Sequence, residues 1–520
     1  MGERLAGNSG DGAFGNGTRC ACPLVEGTAK VQTRLFIEGE FVDALHGATM
    51  PVFNPFNNSQ ICEVSSAQAE DIDRAVEAAR RAFSEWKRVD AAERGELLLK
   101  LAVAIEQNAE ELALLESRDT GHPLRDARNL DVPRTARCFR YFGGMADKLE
   151  GFLPPVYPGF LNYVQREPIG IVGQIVPWNF PLMFTSWKLA PALAAGNCVV
   201  MKPAELTPLS SLRIAELINE AGFPPGVVNI LPGFGSTAGV RLAEHPDIGK
   251  VSFTGSTETG RNIVRMSAGN LKKLQLELGG KGANIVFDDA DIDKAVKGSA
   301  SAIFHNQGQA CIAGSRLILH EAITDEFLEK FIPLAESIRL GDPLDPLTEM
   351  GPLTSKAHQE RVIDYCKIAV EEGGEILTGG KVPDHPALAN GCFVEPTVVR
   401  ARPTDRACQE EVFGPFVSVM TFASAEEALT IANDVSYGLG SGIWTSDLQR
   451  AHRVAGELHA GMVWINAYKI VHPGSPFGGV GQSGYGREMG FEVMREYTQP
   501  KSVWVNVDAN IPDFYQRPAT

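Results

Sequence analysis

The chain has little cysteine and little positive charge. Its 520 residues include 9 cysteines and no CxxC pair, so neither a disulfide framework nor a zinc site is expected. Lys and Arg number 48 against 64 Asp and Glu, a net charge of −16 without any basic cluster that would bind nucleic acid. No apolar run reaches the ~18 residues of a membrane helix. These absences favour a cytoplasmic protein that binds neither metal, nucleic acid nor membrane.

The first 30 residues differ in composition from the residues that follow them. Residues 1–30 are rich in Gly and Asn and have no apolar segment, so we expect a flexible N-terminal tail rather than a signal peptide. A hairpin is predicted over 34–42 and a helix from about Ala69. The pattern from Ala91 to Arg118 predicts a second long helix, which ends before Gly121.

Apolar runs and helical patterns alternate through the middle of the chain. The runs at 169–176, 197–202 and 227–231 are typical of strands buried on both faces, and helical patterns follow the second and third of them. This alternation predicts an α/β fold with a doubly wound parallel sheet, whose ligands bind at the carboxyl ends of the strands. A second α/β alternation runs from 280 to about 480.

The C-terminal segment predicts a further strand, because Val503, Val505 and Val507 alternate with other residues. With the Pro- and Gly-bounded stretch 151–168 it predicts a small β arm that pairs with another subunit. Pairing within its own chain is the alternative.

Two short segments lie where a nucleotide would bind. Gly255 and Gly260 flank a predicted strand-to-helix turn, at which backbone N–H groups can approach a phosphate. The spacing resembles a P-loop, but Arg261 and Asn262 stand in place of its Lys and hydroxyl, which argues against a nucleoside triphosphatase. Lys202-Pro-Ala-Glu205 follows a buried strand, and such a Glu can accept bonds from ribose hydroxyls.

Three further segments carry groups suited to acyl chemistry. Asn179 lies between two prolines in PWNFP, where a rigid backbone can aim its amide at an oxyanion. Glu277 precedes paired glycines and is a candidate general base. Cys311 follows a helix in a Gly-bearing loop, unlike the other cysteines, and is a candidate nucleophile.

Seven motifs in sequence order resemble the aldehyde dehydrogenase superfamily: PWNFP, KPAE, FTGSTETG, LELGGK, FHNQGQACIAGSR, EEVFGP and PFGGVGQSGYGRE. The resemblance implies a nucleophile at Cys311, an oxyanion donor at Asn179 and a base at Glu277 that activates water to hydrolyse a thioester. It also implies that the cofactor is NAD, with NADP as the possible second one. Lys202 is counted with both the catalytic and the cofactor residues. The other cofactor positions implied are Pro177, Trp178, Glu205, Gly235, Gly239, Gly255, Ser256, Glu411 and Phe413.

The resemblance also implies a domain plan. Residues 31–150 and 169–279 form an NAD-binding domain, and 280–482 form a catalytic domain. Residues 151–168 and 495–510 form an oligomerisation arm, so we expect a homo-oligomer, either a dimer or a tetramer.

The substrate follows from the residues that the resemblance places around the nucleophile: Phe180, Phe184, Trp187, Ala310, Ile312, Lys469 and Phe477. This apolar, aromatic lining favours a medium-sized aliphatic or aromatic aldehyde. An aromatic cage for a quaternary ammonium, as in betaine aldehyde enzymes, and a semialdehyde are the alternatives. If Lys469 faces the substrate, its positive charge argues against a cationic substrate. A non-catalytic relative is the alternative from another class, and the joint presence of Asn179, Glu277 and Cys311 argues against it.

Overall fold

A computed structural model describes residues 31–511 and 514–515, so the predicted tail at 1–30 lies outside the described residues. The strands are β1 (Leu35–Ile37), β2 (Glu40–Val42), β3 (Thr49–Phe53), β4 (Gln60–Ser65), β5 (Phe160–Pro168), β6 (Ile171–Ile175), β7 (Cys198–Lys202), β8 (Val228–Ile230), β9 (Lys250–Thr254), β10 (Lys273–Glu277), β11 (Ala283–Val286), β12 (Arg316–His320), β13 (Glu375–Thr378), β14 (Thr397–Arg400), β15 (Phe416–Phe422), β16 (Tyr437–Gly438), β17 (Gly440–Trp444), β18 (Met462–Ile465), β19 (Val480–Gly481), β20 (Gly484–Tyr485) and β21 (Thr498–Asn506).

The helices are α1 (Ala69–Trp86), α2 (Ala91–Gln107), α3 (Ala109–Thr120), α4 (Leu124–Asp126), α5 (Val132–Met145), α6 (Pro181–Ala194), α7 (Leu209–Ala221), α8 (Val240–Glu244), α9 (Thr257–Met266), α10 (Ile292–Phe304), α11 (Thr324–Ser337), α12 (Lys356–Glu371), α13 (Arg406–Gln409), α14 (Ala425–Asn433), α15 (Leu448–Glu457) and α16 (Glu492–Glu496). Within 31–511, none of them is both long and apolar enough to cross a membrane.

The first sheet has eight strands in the order β2-β1-β8-β7-β6-β9-β10-β20. The strands from β8 to β10 run parallel, and β1 and β20 pair antiparallel at the two sides. Every residue of β6, β7 and β9 is buried, because helices cover both faces of a parallel sheet. The expected α/β fold with parallel sheets is confirmed.

The predicted helix from Ala91 to Arg118 is wrong as a single element. It breaks at Asn108 into α2 and α3. Asn108 leaves helical geometry, and its Nδ2 donates to the carbonyl oxygen of Ala104 at 2.8 Å. An Asn side chain that bonds the preceding turn competes with the helix backbone, and it ends α2 here without a Gly or Pro.

The second sheet has seven strands in the order β13-β14-β15-β12-β11-β17-β18, parallel except for β13. All of its strands come from residues after the first sheet's β10, but β20, which lies beyond residue 482, returns to the first sheet. The domain boundaries given above stay predictions.

The C-terminal strand β21 pairs with β5 over nine residues, from Thr498 opposite Pro168 to Asn506 opposite Phe160. Both predicted parts of the arm are therefore brought together, by antiparallel pairing within this chain. Leu161 and Trp504 are exposed apolar residues of the ribbon. Pairing of the arm with another subunit stays a prediction.

Candidate active site

Three cavities of about 520, 420 and 420 Å³ lie next to one another, and the cavity of 520 Å³ lies at the carboxyl ends of β6, β7 and β9. We number them first, second and third. Pro177, Trp178 and Gly255 line both the first and the second cavity. Phe184 and Cys311 line both the second and the third. A molecule that fills the first two cavities therefore meets the contents of the third beside Cys311.

The first cavity contains the Lys202 and Glu205 pair that the sequence predicted. Lys202 ends β7, and its Nζ donates to the carbonyl oxygens of Pro203 and Gly233, each at 2.9 Å, and to Glu205 at 3.2 Å. Burial lowers the pKa of Lys202, against the opposing effect of Glu205. The Glu205 side chain keeps 38% of its surface exposed. It is therefore accessible to a ligand that enters this cavity.

The N-terminus of α9 faces the first and second cavities. Ser256 caps the helix, and its hydroxyl accepts a bond from the Thr259 N–H at 3.2 Å. Gly255 has no room for a side chain, because a Cβ there would collide with the Phe253 ring. The free N–H groups and the dipole of this helix favour an anion. Gly235 and Gly239 also line the first cavity.

The second cavity is lined by Trp178, Phe413 and Glu411. The two rings lie 5.4 Å apart and nearly perpendicular. Phe413 has a φ of 65°, and its carbonyl oxygen lies 2.7 Å from His358 Nε2, which fixes this strained residue. Glu411 Oε1 accepts a bond from the Gly280 N–H at 2.7 Å, and burial raises the pKa of Glu411 to about 7.

Cys311 follows α10 after a turn in which three consecutive residues have positive φ values. Asn306 and Gln307 have φ values of 57° and 53°. Gly308 follows at 69°, and a Cβ there would collide with the carbonyl of Gly414. Cys311 is half-buried between the two cavities. Burial, then the nearby carboxylates of Glu411 and Glu277, raise the pKa of its thiol.

Asn179 is tied to the loop that carries Cys311. It is 4% exposed, it lines the second cavity, and its Nδ2 donates to the carbonyl oxygen of Gln309 at 2.9 Å. Asn306 Nδ2 lies 3.2 Å from the carbonyl oxygens of both Asn179 and Gln309. These bonds join the PWNFP segment to the cysteine loop.

Glu277 is placed differently from Asn179 and Cys311. It is the last residue of β10, 1% exposed, and it is not among the residues that line the three cavities. Its Oε1 lies 2.7 Å from where a Cβ of Gly478 would be, and within the described residues neither of its oxygens has a hydrogen-bond partner. Burial, then the charge of Glu488, raise its pKa well above the usual value.

The third cavity contains all seven residues that the sequence predicted around the substrate. Successive ring centroids lie 6.4 Å apart from Phe180 to Phe184, 5.1 Å from Phe184 to Trp187 and 4.9 Å from Trp187 to Phe477. Ala310 and Ile312 flank Cys311 in this wall. Lys469, whose φ is 57°, also lines the third cavity, so it does face the space around the substrate.

Sequence reasoning missed several lining residues. Arg134 and Arg137 line the third cavity, and Arg361, Tyr365 and Tyr437 line the second. The spacing of Arg134 and Arg137 predicts that they share a helix face. No sequence pattern says that this face lies against the cavity, because the contact joins residues far apart in the chain.

Comparisons with known proteins agree with this geometry. The family model described as Aldehyde dehydrogenase family matches residues 41–503. A betaine aldehyde dehydrogenase from Bacillus subtilis is 46% identical over 91% of this chain and 97% of its own length. A mitochondrial aldehyde dehydrogenase from Leishmania tarentolae is 46% identical over 91% of this chain and 95% of its own. The structure of PnpE from Pseudomonas sp. WBC-3 in complex with nicotinamide adenine dinucleotide is 67% identical, with a TM-score of 0.93 over 94% of this chain and all of that one.

Proposed function

Because the chain belongs to the aldehyde dehydrogenase family, we propose that it oxidises an aldehyde to its carboxylic acid with NAD, through a thiohemiacetal and a thioester on Cys311. The observation that carries the proposal is the position of Cys311, which lines both the second and the third cavity. The test is the appearance of NADH absorbance when the protein is mixed with NAD and a panel of small aldehydes. Absence of NADH with every aldehyde would remove the proposal, and the non-catalytic alternative would then stand.

The first and second cavities fit a dinucleotide. Glu205 offers a carboxylate to ribose hydroxyls, and the N-terminus of α9 offers N–H groups to a pyrophosphate. Trp178, Glu411 and Phe413 would hold the nicotinamide end beside Cys311. When bound, the nicotinamide supplies the hydride acceptor. We assign Lys202 to cofactor binding alone, because it lines the first cavity and Cys311 does not.

Three residues of this chain then take separate roles in the reaction. Cys311 Sγ attacks the aldehyde carbon, and the oxyanion that forms is stabilised by Asn179 Nδ2 and the Cys311 backbone N–H. Asn179 is already held against the cysteine loop, so little rearrangement is needed. Glu277 turns toward Cys311 and activates the water that hydrolyses the thioester.

Replacing Glu205 by Gln is expected to shift cofactor preference toward NADP by about 10-fold in kcat/KM. The carboxylate repels a 2′-phosphate, and its removal also frees Lys202, now 3.2 Å away, to attract one. The measurement is kcat/KM for both cofactors at one saturating aldehyde concentration. An unchanged NAD to NADP ratio would contradict this role, and exchange of Glu258 for Gln provides a control in the neighbouring cavity.

Alkylation of Cys311 in the cofactor-free enzyme is expected to accelerate continuously from about pH 7 to 9. Burial and the charges of Glu411 and Glu277 disfavour the thiolate, so the pKa of Cys311 is raised and the reactive fraction grows as pH rises. The measurement is the rate of iodoacetamide labelling of Cys311 by peptide mass spectrometry. A plateau at or below neutral pH would show a stabilised thiolate and would contradict the expectation.

The aromatic wall of the third cavity supports an aliphatic or aromatic aldehyde of medium size. Lys469 in the same lining disfavours a quaternary ammonium, because like charges would meet in a partly buried space.

We also propose that the β5–β21 arm joins copies of this chain into a homo-oligomer. Light scattering distinguishes a dimer from a tetramer, and a monomer would contradict the proposal.

A further inference from the structure

Two arginines of α5 line the third cavity. Arg134 and Arg137 are three residues apart, so they lie on the same face of the helix. Arg134 is half-buried and Arg137 is exposed. Lys469 reaches the same cavity from the loop after β18. Three cationic side chains therefore line the space that the proposed aldehyde occupies.

Within the described residues, these cations lack acidic partners. No Asp or Glu is among the residues that line the third cavity, and within 31–511 the side chains of Arg134 and Arg137 have neither an ion pair nor a hydrogen bond. The next arginine of the helix, Arg140, behaves differently, because it binds Glu106 at 2.7 Å. An arginine left without a partner beside an apolar cavity is available for a ligand carboxylate.

The nearby acids are already engaged by other groups. Asp131 Oδ2 lies 2.9 Å from His122 Nδ1, and Asp126 pairs with Arg125 at 3.3 Å. Among the residues that the structure describes, the Lys469 side chain has one hydrogen bond, a long one of 3.4 Å from Nζ to the carbonyl oxygen of His305. Burial lowers the pKa of Lys469 to about 7, which an anion in the cavity would oppose. The cavity thus has unbalanced positive charge above an aromatic wall.

We propose that Arg134 and Arg137, with Lys469, bind a carboxylate of the substrate, which is therefore an aldehyde that carries a carboxylate in the same molecule. This proposal rests on the proposed function, since the aldehyde group is the one that reacts at Cys311. The aromatic rings contact the carbon skeleton between the two groups. The reaction then yields a dicarboxylate, and the reaction that supplies the substrate leaves an aldehyde on a molecule that is already acidic.

A matched pair of substrates isolates the charge. 4-Carboxybenzaldehyde and methyl 4-formylbenzoate share a ring and an aldehyde, and they differ in whether the second group is ionised. Bonds between guanidinium and carboxylate are charge-assisted, so we expect kcat/KM for the acid to exceed that for the ester by about 10- to 100-fold. An ester that is turned over as well as the acid would overturn the proposal.

Variants of the two arginines test which residues bind the carboxylate of the substrate. Arg134→Gln and Arg137→Gln are expected to lower the ratio of acid to ester kcat/KM by about 10-fold each, mainly through KM. Arg137→Lys should keep part of the ratio, because it retains the charge and loses the bidentate geometry. Arg140→Gln, on the same helix and outside the cavity lining, is the matched control and should keep all of it.

The ratio is measured within each variant, so partial loss of folded protein cancels. A ratio unchanged by both Gln variants would overturn the assignment to Arg134 and Arg137. A clear preference for a trimethylammonium aldehyde would overturn the substrate class. NADH formation from the ester without any preference for the acid would contradict this inference alone, whereas no NADH from any aldehyde would remove the proposed function itself.

Discussion

Replacing Cys311 by Ala is expected to lower kcat for aldehyde oxidation by at least about 10⁴-fold, with any aldehyde that the enzyme accepts. The proposed mechanism passes through a thiohemiacetal and then a thioester, both held by one covalent bond to Cys311 Sγ, and an alanine methyl group cannot form that bond. Removal of an enzyme's covalent nucleophile costs of the order of 10⁶ in kcat in well-studied hydrolases. The measurement is steady-state NADH formation at saturating NAD and aldehyde.

The same substitution should leave the cofactor site intact. Cys311 makes up only one part of the second cavity, and the residues proposed to bind the adenosine end lie in the first. Titration of the variant with NAD, followed by tryptophan fluorescence, should therefore give a dissociation constant close to that of the unmodified chain. Trp178 lines both cavities and provides the signal.

Another cysteine provides the matched control. Cys366 is buried in α12, where it packs in a separate apolar cluster. Cys366→Ala removes a thiol of the same kind without touching any of the three cavities, so activity should stay within about 2-fold of the original. Equal loss of activity in both variants, or substantial activity in Cys311→Ala, would contradict the assignment of the nucleophile.

The sequence predicts the strands of the central sheet well because their own composition is typical of buried parallel strands. Apart from Gln174 in β6 and Lys202 at the end of β7, the residues of these strands are apolar or Gly, and a buried parallel strand favours that composition. The break at Asn108 could not be predicted in this way. Apolar periodicity continues across it, and the deciding interaction is one side-chain bond to Ala104.

A candidate site residue can be recognised in the sequence where a short segment fixes its own geometry. Cys311 stands out in the sequence because a Gly-bearing turn precedes it, and the structure shows why Gly308 is needed there. Arg134 and Arg137 could not be found, because their importance depends on which distant loop α5 faces. The direction of a side chain such as Glu277 also depends on packing between distant segments, here Gly478.

Replacing Glu277 by Gln is expected to separate the two halves of the reaction. Steady-state turnover should fall by about 10²- to 10³-fold, since an amide cannot accept the proton of the attacking water. The first half needs only Cys311, Asn179 and the cofactor site, so one NADH per active site should still form in a rapid burst. Stopped-flow absorbance measures the amplitude of the burst and the slow phase in one experiment.

The position of Glu277 makes this test a sharp one. Its carboxylate is buried beside Gly478, and burial raises its pKa well above the usual value, so it must turn toward Cys311 before it can act. A base that acts after such a turn governs thioester hydrolysis and leaves the attack by Cys311 unaffected. Hydroxylamine attacks thioesters without a base, and it should therefore restore turnover in Glu277→Gln. Loss of the burst would instead place Glu277 in activation of Cys311, and turnover within about 3-fold of the original would remove it from the mechanism.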